Sequence, residues 1–251
     1  MYRQSAIAGT PCTDASVPPP QALECAHCAV RGRAVCSALS EHEMETLDRA
    51  TQHLRCSAGS TLVRAGDARQ YVYTLTSGVL RMVRTLADGR RQVTGFVLPG
   101  DYVGLTGTPQ HRHDIEALVD SQVCRTPVAD MRAIRERYPH LERKLLQRTS
   151  MELAAAQDTG LALARLQPGE RLAHFLLRLA ARSTQPGLPG DTVALPMGRG
   201  DIADHLGLTM ETVSRTFTKL KQQRLIALPQ LHLVQILDYP GLRRLAGDDD
   251  F

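Results

Sequence analysis

No stretch of eighteen apolar residues runs through this 251-residue chain, and its first twenty residues, MYRQSAIAGTPCTDASVPPP, hold no basic segment followed by an apolar one. The first absence excludes a membrane-spanning helix and the second a secretory leader, so the expected setting is cytoplasmic, with no membrane partner. No Ser-His-Asp neighbourhood, carboxylate pair or phosphate-cradling loop rises above a structural role, so no catalytic residue is named and an enzyme is not expected. Strong charge is lacking too. A net charge of +4 with a pI near 8.8 permits a nucleic-acid partner without demanding one, and only its distribution can decide.

What is present is an ordinary globular composition, 43% hydrophobic and 22% charged, sufficient for one large or two modest domains. There are six cysteines. In a reducing compartment they are poor material for a disulfide framework, and metal binding or redox sensing is the better expectation.

Residues 1–20 contain Pro11, Pro18, Pro19 and Pro20 among small and polar residues and read as a flexible tail. Residues 21–37 are a cysteine-rich loop. Between about 52 and 128, glycines 59, 66, 78, 89 and 100 recur at intervals of 7, 12, 11 and 11, separating short β-rich segments such as QYVYTLT, VLRMVRTL and RQVTGFVL. This rhythm predicts an antiparallel β-roll over 38–135, with a hairpin turn at Asp88-Gly89.

After Pro139 the chain becomes proline-free and rich in helix formers, which predicts a long helix within 136–167. Leu146, Thr149, Leu153, Ala156, Gly160 and Leu163 follow the 3-4 spacing of a coiled-coil seam, with Leu146, Leu153, Ala156 and Leu163 as its apolar members. The seam is weak, and a helix packed on its own β-domain is the plainer alternative.

Residues 168–251 read as a DNA-binding domain. In GRGDIADHLGLTMETVSRTFTKLKQQRLI, a helix from about Gly200 to Leu206, a turn through Gly207 and a second helix opened by Thr209 have helix-turn-helix spacing. Rotating the second helix by about 100° per residue puts Met210, Val213, Phe217 and Leu220 on one arc and Glu211, Ser214, Arg215, Thr218 and Gln222 opposite. A solvated face is the plain reading of the polar side. Its residue types also suit base edges, with Arg215 for guanine, Glu211 for the cytosine amino group and Ser214 for either neighbour. Thr209, Thr212, Lys219 and Lys221 are candidate backbone-phosphate contacts, and residues 198–244 carry seven Lys and Arg against four Asp and Glu. The following ALPQLHLVQIL reads as a two-stranded wing.

This order of elements, α+β in class, resembles the cyclic-AMP-receptor and fumarate-nitrate-reduction superfamily: a cyclic-nucleotide-binding-like β-roll, a long dimerisation helix and a winged helix-turn-helix. LGLTMETVSR carries the E-x-x-S-R pattern with which the fumarate-nitrate-reduction branch reads half-sites similar to TTGAT. The resemblance implies a homodimeric regulator of double-stranded DNA with RNA polymerase as a further partner, LADGRR being one loop that could meet it. Cyclic-nucleotide members place a glutamate and an arginine on the ligand. Here no acidic residue follows Val103-Gly104, and His113 or Asp114 falls at the arginine position, so that ligand is not expected.

Cys25, Cys28 and Cys36 form C-x2-C-x7-C, and Cys124 lies 88 positions beyond Cys36. Four thiolates suit an iron–sulfur cluster or zinc. The combination resembles oxygen-sensing members of the same branch, in which these positions hold a [4Fe–4S] cluster whose oxidation dissolves the dimer. The alternatives are a thiol–disulfide switch, a structural zinc, or a small-molecule effector. Cys12 and Cys56 are expected to be free thiols, with Cys12 the substitute should Cys25 not serve; His27 and His53 are set aside as ligands.

Overall fold

The computed structural model describes residues 12–14, 25–104, 107–182, 189 and 191–247. The chain divides into two compact units, residues 1–84 with 94–150, and residues 85–93 with 151–251. Among the described residues no helix is long and apolar enough to cross a membrane.

The first unit is built on a β-roll. Strands β1 (Thr13–Asp14), β2 (Gln52–Cys56), β4 (Tyr71–Ser77), β7 (Tyr102–Val103) and β9 (Ser121–Pro127) form a sheet in the order β1-β2-β9-β4-β7. Strands β3 (Thr61–Val63), β5 (Leu80–Thr85), β6 (Arg91–Val97) and β8 (Asp114–Ala117) form a second sheet in the order β3-β8-β5-β6. The five glycines expected to punctuate the roll all have positive φ, between 81° and 96°. Gly78 is doubly constrained, because a Cβ there would also lie 2.7 Å from the carbonyl oxygen of Asp120.

Strand alternation decides what each sheet buries. Leu54, Cys56, Tyr73, Leu75 and Val123 point from the first sheet into a core shared with Val63, Leu80, Val97, Ile115 and Ala117 of the second. The intervening positions on β4 and β9, among them Val72, Thr74, Cys124 and Thr126, point the other way. That outer face is roofed by the cysteine segment and by α1 (Glu41–Ala50) and α2 (Val128–Arg137), through a second core containing Cys25, Val35, Leu39, Met44, Leu47, Met131 and Ile134. A capping box starts α1: Ser40 Oγ accepts from the Glu43 amide at 3.4 Å, and the Ser40 amide donates to Glu43 Oε2 at 2.8 Å.

The long helix α3 (Pro139–Arg165) begins where Pro139 needs no backbone donor. Within the first unit, Leu141 and Leu145 are buried in the core beneath the cysteine segment.

The second unit contains α4 (Pro168–Arg182), α5 (Arg199–Leu206), α6 (Met210–Gln222) and α7 (Tyr239–Ala246), with strands β10 (Thr192–Ala194), β11 (Ile226–Gln230) and β12 (Leu233–Ile236). Leu172, Leu176, Ile202, Phe217, Leu220, Ile226 and Leu242 are fully buried there. The expected two-stranded wing gains β10 as a third strand, in the order β10-β12-β11.

Two expectations near the chain start need correction. Residues 12–14 are not part of an unordered tail: Thr13 and Asp14 pair with Arg55 and Leu54 of β2. Nor are Cys12 and Cys56 free thiols, since the same ladder brings them together as a disulfide, Cα–Cα 4.5 Å. The rest of the first twenty residues lies outside the described residues. The cysteine segment is also more ordered than a loop, with short 3-10 turns at Cys25–His27 and Val35–Ala38.

Candidate cysteine centre and nucleic-acid interface

Cys25, Cys28, Cys36 and Cys124 are all free thiols, and all four line one cavity of about 40 Å³. Its other walls are chiefly apolar or hydroxylic, including Val30, Val35, Leu47, Thr51, Val72, Thr74, Tyr102, Thr126 and Met131, and among the described residues no carboxylate lines it. Three thiols arrive on the 25–36 segment. The fourth arrives from the centre of the first sheet, where Cys124 pairs with His53 on one side and Thr74 on the other. Because alternate residues face alternate ways, Val123 enters the roll's core while Cys124 enters the cavity.

The surroundings favour the neutral thiol at Cys25, Cys36 and Cys124. Burial, with the charges of Asp48, Cys124 and Cys36, pushes the Cys25 thiol far above its ordinary range. Burial followed by the neighbouring Cys28 raises Cys36 to about 11, Arg31 acting in the opposite direction. Burial followed by Cys28 and Cys36 raises Cys124 to about 12. Four thiolates crowded in a desolvated pocket repel each other, and a bound cationic centre supplies the charge that offsets this repulsion. The donor set therefore fits a thiophilic metal group. Among the described residues, however, no three His, Cys, Asp or Glu side chains converge as a single metal ion would require.

His53, set aside on sequence grounds, lies beside the site, its Nδ1 3.6 Å from Cys124 Sγ. Asp48 was missed: its carboxylate accepts from the Cys25 amide at 3.2 Å. The β2–β9 register brings His53 to Cys124, and no local pattern in the sequence carries that pairing.

Several positions of the expected seam are exposed on α3. Leu146 and Leu153 are 66% and 60% exposed, and Ala156 is exposed. Leu163 differs, being half-buried within the second unit, where a Cβ on Gly207 would meet its Cδ2 at 3.5 Å. Met151 and Leu161, absent from the expected seam, add apolar exposure at 57% and 64%.

In the second unit, Gly207 at φ 62° turns the chain from α5 into α6, and Thr209 Oγ1 caps α6 by accepting from the Thr212 amide at 3.2 Å. Val213, Phe217 and Leu220 are buried, but Met210, expected on the packing arc, is 54% exposed because it sits in the first turn, ahead of the buried stretch. Glu211, Ser214, Arg215, Lys219 and Lys221 are all exposed, and Thr212 is half-buried. The Glu211 carboxylate is held below its usual range by its own amide at the helix start, then by Thr209 and Arg215. Ser214 Oγ donates back to the Met210 carbonyl at 2.9 Å, leaving its oxygen lone pairs turned outward for an incoming donor. α6 thus presents a carboxylate and a hydroxyl followed by three cationic side chains along its solvent-facing side.

A Crp-like helix-turn-helix domain matches residues 170–245, and a cyclic nucleotide-binding domain matches residues 53–138. The nitrogen fixation regulation protein FixK of Bradyrhizobium diazoefficiens is 39% identical over 204 residues, 81% of this chain and 86% of its own length. The transcriptional activator protein FnrL of Cereibacter sphaeroides is 35% identical over 232 residues, 90% of this chain and 92% of its own. The chain belongs to the Crp/Fnr family. The fumarate and nitrate reduction regulatory protein of Escherichia coli is 32% identical, covering 90% of this chain and 91% of its own length. The structure of FixK2 from Bradyrhizobium japonicum superimposes with a TM-score of 0.72 at 33% identity, over 78% of this chain and 96% of that one. This Crp/Fnr member is accordingly a DNA-binding transcription regulator and not an enzyme.

Proposed function

We propose that this Crp/Fnr regulator is a cytoplasmic oxygen sensor whose four cavity cysteines hold a [4Fe–4S] cluster. The observation that carries the reading is the gathering of Cys25, Cys28 and Cys36 with Cys124, 88 positions farther along the chain, around one cavity as free thiols. Cys25, Cys28 and Cys36 hold it from the segment, Cys124 from the sheet. A single zinc asks for four sulfurs about 2.3 Å from one point, whereas a cluster takes one thiolate at each iron. When bound, such a cluster supplies a redox-active, oxygen-labile centre.

The chain's own residues then couple that site to dimerisation. Ligation at both Cys124 and the 25–36 segment fastens the segment to the sheet, over the core that also receives Leu141 and Leu145 of α3. The exposed positions Leu146, Leu153 and Ala156 of α3 meet a second copy. Moving a two-state equilibrium from about 10% to about 90% active takes only about 2.6 kcal/mol, within reach of four metal–thiolate bonds.

The dimer offers two α6 helices to a palindrome, Glu211, Ser214 and Arg215 reading TTGAT-like half-sites and Thr209, Thr212, Lys219 and Lys221 contacting phosphates. RNA polymerase is the further partner. A cyclic nucleotide is disfavoured in the matched roll domain, because Asp114 is turned to the Ala65 amide at 2.9 Å and supplies no cation for a phosphate.

The test is elemental analysis with an absorption spectrum on anaerobically purified protein. About four iron and four sulfide per chain, lost in air together with palindrome binding, is the expected result; stoichiometric zinc without sulfide would overturn the reading.

A further inference from the structure

Four of the six cysteines line the cavity; the remaining two are joined to each other. Cys12 and Cys56 form a disulfide at the edge of the first sheet, beside the β1–β2 ladder. We propose that this pair is a reversible redox couple, a second redox site distinct from the four-cysteine cavity, whose oxidation closes a covalent ring around the cysteine segment.

Three features support the assignment. The first is separation. Cys56 shares its side of β2 with Leu54 and enters the roll's core, with Cys12 packed against that core, while His53 and Cys124 lie on the opposite side of the sheet. The pair therefore does not draw on the cavity's thiols.

The second is asymmetry of access. Cys56 is 1% exposed, whereas Cys12 is half-buried and has Ser60 Oγ 3.4 Å from its sulfur. A sulfur in a disulfide carries no proton, so the Ser60 hydroxyl donates, and the same donor stabilises a Cys12 thiolate once the bond opens. Oxidation then starts at Cys12. Its thiolate attacks a low-molecular-weight disulfide, forming a mixed disulfide and releasing one small thiolate. The Cys56 thiolate next attacks the Cys12 sulfur and expels the second. The protein loses two electrons and two protons, and the small disulfide is reduced to two thiols. In a reducing compartment such bonds are characteristically transient or sensing rather than structural.

The third is topology. The sequence separation of 44 places Cys25, Cys28 and Cys36 inside the ring that the disulfide closes. The ring is anchored on β2, the strand that pairs with β9 and Cys124. Closing it removes conformational freedom from the segment and keeps the three thiols near the fourth. That consequence bears on a metal centre only through the function proposed above; the redox chemistry of the pair stands apart from it.

The full-length, metal-free protein, reduced with dithiothreitol, is exposed to oxidised glutathione, trapped with a maleimide and mapped by mass spectrometry. The expected result is loss of labelling at Cys12 and Cys56 before any cavity cysteine, with a linked peptide two hydrogens lighter, restored to free thiols by dithiothreitol. Amide exchange in residues 25–36 should slow in the oxidised form and not in Cys12→Ser, whose substitution lies outside the buried core. Persistent labelling of Cys12, a disulfide between Cys12 and a cavity cysteine, or equal exchange in both forms would overturn the proposal. Because no metal is present, these results are independent of the iron and sulfide assay.

Discussion

The guanidinium of Arg148 donates a hydrogen bond to the carbonyl oxygen of Arg33, joining α3 directly to the segment that carries Cys25, Cys28 and Cys36. It is half-buried and lies one turn beyond Leu145, which reaches the same segment through the core. Removing it should loosen the coupling between cysteine centre and dimer helix. Arg148→Ala should keep its iron and sulfide but lower the anaerobic dimer association constant by about tenfold, the worth of one charge-assisted hydrogen bond. Sedimentation of the anaerobic protein provides the check, and unchanged association would show the contact to be incidental.

Cys124 faces away from the roll's core, so its replacement should cost little stability. Cys124→Ala should change thermal unfolding of the metal-free protein by about 1 kcal/mol or less while abolishing iron and sulfide uptake. A variant that still assembled a full complement would remove Cys124 from the ligand set.

Leu153 is exposed on α3, where a charge is harmless to a lone chain but not to a packed interface. Leu153→Glu should leave the far-ultraviolet circular dichroism unchanged and convert the anaerobic dimer to monomer in sedimentation. A dimer of undiminished strength would place the interface elsewhere.

Arg215 is exposed on the outward side of α6. If it grips guanine through two hydrogen bonds, Arg215→Ala should weaken binding to a TTGAT-type palindrome by about 1–3 kcal/mol and leave iron and sulfide untouched. Competition against non-specific DNA gives the measure, and equal loss on both would make Arg215 a phosphate contact.

His111 supplies a pH dependence. Burial first and Arg69 second hold its pKa below the ordinary histidine value, Asp67 opposing them. The unfolded chain therefore takes up the proton first as pH falls below about 6.5, so this contribution to stability is present above that pH and is lost on acidification. His111→Gln should flatten the fall in melting temperature of the metal-free protein between about pH 7 and 5.5. An unchanged slope would assign the dependence to His113 and His205, which burial also holds low.

Local patterns in the sequence determined a good deal of this protein. Turn glycines need positive φ wherever they occur, and helix starts need capping hydroxyls, so the roll's punctuation, the Thr209 cap and the polar side of α6 could all be read from neighbouring residues. The outlying seam residue, Leu163, escaped that reading because periodicity says which side of a helix is apolar, not which neighbour covers it. The cysteine spacing likewise named four candidate thiols without bringing them together. Only the tertiary structure decided that Cys124 faces the 25–36 segment, that His53 stands beside it, and that Cys12 joins Cys56. Those relationships depend on the β1–β2 and β2–β9 registers, where a shift of one residue reverses every side chain. Register is set by the packing of two whole sheets, and no short stretch of the chain encodes it.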